Sequence, residues 1–136
     1  MPQFCVLIPY RPVPQPRYAI GKHPKSGKQM AWIPRVKDPL TKRLVPHPIH
    51  AWRKLVALQV KPYRTPEWPL RCRIALSLHF RMMGEGDLDN LTKGVKDALN
   101  GLLWHDDRQV REYFEPFKVE EPERGRPECL VMRVRW

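Results

Sequence analysis

Between Arg71 and Leu103 the apolar pattern changes period once, and that change limits what the chain can fold into. Cys72, Ile74, Leu76, Leu78 and Phe80 alternate with Arg71, Arg73, Ala75, Ser77, His79 and Arg81. A period of two is that of a strand with one apolar face. The flexible turn Gly84-Glu85-Gly86 follows. Leu91, Val95, Ala98, Leu99, Leu102 and Leu103 then recur at helical spacing, with Asp89 or Asn90 as cap and Asn100-Gly101 as the stop.

The switch point carries Asp87-Leu88-Asp89-Asn90, and Asp106-Asp107 lie just beyond the helix. The chain has 14 acidic against 25 basic residues, yet five aspartates fall between Asp87 and Asp107. Short carboxylates gathered in a basic chain suit a divalent cation held against a polyanion. Magnesium takes hard oxygen ligands, a few from carboxylates and the rest from water or phosphate. The alternative is ordinary capping, since Asp before a helix accepts from its first amides and complements its dipole. A calcium loop starting at Asp87 needs Gly at its sixth position and Glu at its twelfth. Those places hold Thr92 and Ala98, which excludes it. Asp89, Lys93 and Asp97 share a helix face. Asp97 reads as part of a surface ion-pair ladder, whereas Lys93 projects toward the proposed ligands.

A net charge of +11 points to nucleic acid or another anionic surface as partner. No apolar run approaches the length of a membrane span, and Met1 to Val6 lacks the pattern of a signal peptide. Cys5, Cys72 and Cys129 are odd in number and sit in apolar runs. They read as buried reduced thiols of a cytoplasmic protein.

Along the rest of the chain, Phe4–Ile8 reads as a strand. Pro9 to Lys28 is rich in Pro, Gly and cations and reads as a loop or extended arm. Arg11, Arg17, Lys22, Lys25 and Lys28 are its candidate phosphate donors. Gln29 to Val36 reads as a second strand that returns to make a hairpin, with Trp32 on one face. Ile49, Trp52, Leu55, Val56 and Val60 predict an amphipathic helix over 49–61, with Pro48 in its first turn and Trp52 in the core. His47 and His50 fall at the helix start, and His79 reads as a satisfied structural histidine. Val110 to Glu120 reads as a strand interrupted by Pro116, hence bulged or at an edge. Cys129 to Trp136 is a last strand. The expected fold is α+β: a single domain over 1–136, with two main helices packed on a small mixed sheet.

The run Asp87-Leu88-Asp89-Asn90, Lys93, Asp97-Ala98-Leu99, Gly101, Asp106-Asp107 and Gln109-Val110 resembles the RusA family of Holliday-junction resolvases. The resemblance covers roughly Arg71 to Lys118 and departs at Met82-Met83-Gly84-Glu85-Gly86, where more basic character is expected. It implies a magnesium-dependent endonuclease, with manganese as a substitute, acting on four-way DNA junctions as a homodimer in the cytoplasm. Position by position, the family's catalytic aspartates match Asp87, Asp89 and Asp107, and its lysine matches Lys93. The three carboxylates would converge on one or two ions, and Lys93 would serve the scissile phosphate. Two other readings are a nucleic-acid-binding module without catalysis and a nuclease for other branched DNA.

Overall fold

A computed structural model describes residues 2–84 and 86–136. Met1 and Glu85, the acidic departure from the family pattern, lie outside the described residues. In chain order the strands and helices are β1 (Gln3–Ile8), β2 (Ala19–Lys22), β3 (Gln29–Trp32), β4 (Val36–Lys37), β5 (Leu44–Val45), α1 (Ile49–Val60), β6 (Ile74–Arg81), α2 (Leu88–Leu99), β7 (Val110–Tyr113), β8 (Lys118–Glu120) and β9 (Cys129–Arg135). Short 3-10 turns occupy Lys61–Tyr63 and Asp107–Gln109.

The main sheet runs β1-β9-β6-β7, with β8 also on β6. β9 is antiparallel to both β1 and β6, whereas β7 and β8 run parallel to β6. The parallel pairing follows from the crossover: β6 leads into α2, and the chain returns along the edge of β6. That returning edge is broken around Pro116, as a residue without an amide donor requires. β7 pairs with Ile74–Leu76 and β8 with His79–Arg81. The sheet is therefore mixed and carries two main helices, as expected from the pattern.

One face of the sheet presents Val6, Ile8, Leu130, Met132, Val134, Ile74, Leu76, Leu78 and Phe80, all buried. α1 supplies Ile49, Trp52, Val56 and Val60 to this core, and α2 supplies Leu91, Val95 and Leu99. Fully burying an aliphatic side chain of this size is worth about 1.5–3 kcal/mol, so these stripes hold both helices to the sheet. Gly94 lets the helices and the arm approach closely. A Cβ there would stand 3.2 Å from Ile49 Cδ1 and 3.5 Å from the Val13 carbonyl.

Three expectations need correction. β6 is buried on both faces from Leu76 to Phe80, with Ala75 partly buried and Arg81 exposed. Ser77 donates to the Pro116 carbonyl at 2.7 Å, and His79 Nε2 lies 2.6 Å from Glu120 Oε1. Cys5 and Cys72 are exposed and only Cys129 is buried; all three are unpaired. The expected loop or arm over 9–28 contains β2, which pairs with β3 in the expected hairpin, but β3 stops at Trp32 and Val36 belongs to β4. A second small hairpin, β4–β5, follows; its strands are too short to show a period. No helix among the described residues is long and apolar enough to cross a membrane.

Candidate active site

α2 presents two stripes. Leu91, Val95 and Leu99 face the core. Asp89, Thr92, Lys93 and Lys96, at relative positions 0, 3, 4 and 7, line a cleft of about 320 Å³ with Asp107, Tyr113 and Phe117. Residues so spaced share one side of a helix. The opposite wall is built by the turn and strand after α2, so the βαβ crossover brings two distant segments of chain together.

The cap of α2 is Asp87, which precedes both expected residues. Its Oδ1 accepts from the amides of Asp89 at 2.9 Å and Asn90 at 3.3 Å, and Oδ2 accepts from Asn90 Nδ2 at 3.4 Å. Asp87 is therefore occupied at the helix start and does not line the cleft. Among the described residues no group of three or more His, Cys, Asp or Glu is arranged to hold a metal ion. Of the three carboxylates expected to meet, the cleft gathers two, Asp89 and Asp107, together with Lys93.

The paired aspartates of the loop are physically distinct. Asp106 caps the 3-10 turn: Oδ1 accepts from Arg108 N at 2.8 Å, and Oδ2 accepts from Arg108 Nε at 3.1 Å and Nη2 at 2.9 Å. The Arg108 side chain and amide hold its carboxyl well below the usual carboxylate range. Gln109 Oε1 accepts from the amides of His105 and Asp106, each at 3.0 Å, completing a capping box. Its Nε2 donates to the carbonyls of Leu70 at 2.7 Å and Cys72 at 3.0 Å. Asp106 and Gln109 thus anchor the loop beside β6, and Asp107 is the member of the pair that reaches the cleft.

Asp97 is half-buried and lies 3.2 Å from Arg53 Nη2. Burial pushes its carboxyl up, and the nearby charge of Asp107 adds to that, while Arg53, Lys93 and Lys96 oppose it. Asp97 therefore pairs with α1 rather than standing in a ladder with Lys93. Arg53 also donates to Gln15, whose Nε2 lies 3.1 Å from the Tyr18 hydroxyl. The Gln15 amide donates to the Asn90 carbonyl at 3.0 Å. These bonds dock the arm against the start of α2. Lys93 Nζ consequently stands 6.0 Å from the centre of the Tyr18 ring.

Of the arm's five cations, Arg11 is engaged with Glu128 and with the Met83 carbonyl. Arg17, Lys22, Lys25 and Lys28 are exposed, and none makes an ion pair with another described residue. The last three sit on and around the β2–β3 turn. His47, at the start of α1, is taken up structurally: its Nδ1 accepts from the Ile49 amide at 3.0 Å.

The donor set fits a divalent cation of the magnesium kind, which needs only one or two protein carboxylates when water and substrate phosphate complete its shell. Asp89 and Asp107, both on the cleft lining, supply that number of carboxylates. The buried Oγ1 of Thr92, on the same cleft, has no partner among the described residues, so a polar group there remains unsatisfied by the protein. Lys96, Tyr113 and Phe117 are cleft residues that sequence reasoning misses. Lys96 is legible as the residue three beyond Lys93 on its face; the aromatics become visible only once the broken edge strand is placed.

No curated protein matches the sequence. A family match covers residues 9–124, so it takes in the arm and both helices as well as the aspartate-bearing segment. Through that match the chain belongs to the family described as Endodeoxyribonuclease RusA, hydrolases that act on DNA.

Proposed function

We propose that this endodeoxyribonuclease cuts four-way junctions in a magnesium-dependent reaction, with manganese as a substitute, and works as a cytoplasmic homodimer making paired cuts. The observation that carries the reading is the convergence of Asp89, Lys93 and Asp107 on one cleft from separate elements, in a chain of net charge +11. A junction has two-fold symmetry, and a two-fold dimer offers two identical sites to it.

Asp89 and Asp107 would hold the cation. Asp87 would act from the helix start, outside the cleft lining: Oδ1 caps α2, and Oδ2, which takes only the Asn90 side-chain amide at 3.4 Å, is the oxygen it would offer to the cation. When bound, a divalent cation polarises the phosphate and lowers the pKa of coordinated water. Lys93 donates to the phosphate oxygens as negative charge develops. Asp106 and Gln109 keep the loop in place so that Asp107 faces α2. Arg17, Lys22, Lys25 and Lys28 neutralise backbone phosphates away from the reacting centre, which positions the DNA without reading its sequence.

The test is cleavage of a synthetic four-way junction, a flap and a duplex, side by side, across a magnesium titration. The expected result is metal-dependent, symmetric nicking of the junction with little cutting of the other two. Equal cutting of all three would replace junction resolution by a general branched-DNA or duplex nuclease activity.

A further inference from the structure

Lys96 has no role in the chemistry assigned to Asp89, Lys93 and Asp107, yet it lines the same cleft. It is half-buried, and its Nζ lies 3.2 Å from the Tyr113 hydroxyl and 5.9 Å from the centre of that ring. Tyr113 is in turn stacked on Phe117, with ring centres 4.3 Å apart and planes inclined by 18°. A solvated lysine on a helix surface samples many rotamers; this one is tethered to an exposed ring that is itself stacked on Phe117. A lysine that only complements the dipole at the C-terminus of α2 needs no such tether, because its charge acts from any rotamer near the last turn.

We propose that Lys96, oriented by Tyr113, holds the phosphate adjacent to the one that Lys93 serves, so that the cleft fixes two consecutive phosphates of the strand being cut. This rests on the nuclease reading of the cleft. Residues three apart on a helix stand about 5–6 Å apart at Cβ, and lysine stems of that separation span neighbouring phosphates of one strand. Lys96 is then a substrate-contacting residue and Tyr113 a positioning residue. Fixing two phosphates rather than one restrains the strand in direction as well as in place, which is what alignment for in-line attack demands.

The experiment is single-turnover cleavage of a four-way junction by the full chain, with all-phosphate DNA and with a neutral methylphosphonate placed on either flank of the scissile phosphate. On all-phosphate DNA, Lys96→Met should slow cleavage by roughly 10- to 100-fold, the range of a charge-assisted hydrogen bond. At one flank the methylphosphonate should slow the wild type comparably, and Lys96→Met should then cost nothing more. Tyr113→Phe, which keeps the ring and removes the hydroxyl, should slow cleavage several-fold on all-phosphate DNA and add nothing when combined with Lys96→Met. Lys96→Gln serves in place of Lys96→Met if that variant does not fold, with the same expected loss and flank dependence; Lys96→Arg keeps the charge and should restore much of the rate on all-phosphate DNA. Cleavage by Lys96→Met at the wild-type rate overturns the proposal while leaving the nuclease reading intact. So do penalties from Lys96→Met and the methylphosphonate that multiply at both flanks. A wild-type chain that cuts no junction under magnesium overturns the nuclease reading and this inference together.

Discussion

Asp87 and Asp89 are two residues apart and differ in what they hold. Asp87 accepts from two α2 amides, whereas Asp89 lines the cleft. Asp87→Ala should therefore destabilise the fold by about 1 kcal/mol, the usual cost of losing a cap, seen as a lower melting temperature. Asp89→Ala should leave the melting temperature nearly unchanged while removing cleavage. Lys93→Met should reduce the single-turnover rate by on the order of 10²–10³, the typical loss for one preorganised donor to developing charge, with junction affinity falling far less. His47 gives a prediction about pH. Burial, and then the neighbouring His50, lower its imidazole below 6.5, and the neutral ring accepts from the Ile49 amide. The stabilisation this gives is present above pH 6.5 and is lost as pH falls through the lowered native value. Melting temperatures should decline as the pH is brought from neutral to mildly acidic, and those of His47→Asn should decline less.

The elements differ in how far the sequence announces them. β6, α2 and β9 carry long, regular apolar periods, and α1 carries a clear stripe behind Pro48; all four stand where those patterns put them. The cap of α2 is harder to place because Asp87, Asp89 and Asn90 are all good caps, and only backbone geometry chooses among them. The burial of both β6 faces is hidden in the sequence because Ser77 and His79 are polar; they are covered only because the broken β7–β8 edge supplies Pro116 and Glu120 as partners. The candidate site is legible in its carboxylates and Lys93. Its cleft wall is not, since Tyr113 and Phe117 flank Pro116 and read as strand or break with equal ease. The 3-10 turn after α2 divides Asp106 from Asp107 in the same way that backbone geometry divides the caps. Asp106→Ala removes the cap of the turn that presents Asp107, so it should weaken cleavage partially, and Asp107→Ala should abolish it. Rates of the two variants at saturating metal decide between them.

Over the molecule as a whole, the proposed function assigns affinity to charge and chemistry to the cleft, so the two should separate under mutation. Replacing Lys22, Lys25 and Lys28 together by Gln should weaken binding to junction and duplex alike. It should also flatten the dependence of log affinity on log salt by about 0.9 for each duplex phosphate no longer neutralised. The cleavage rate of DNA already bound should hardly move. The central claim, that Asp89 and Asp107 act as one metal-holding pair across the cleft, is tested most directly by magnesium titration of junction cleavage in the wild type, Asp89→Asn and Asp107→Asn, with junction binding measured in parallel. Each Asn variant is predicted to bind the junction as well as or better than the wild type and to cut it at no magnesium concentration, because one of the two carboxylates has been neutralised. Undiminished magnesium-dependent cutting by either variant would contradict the account.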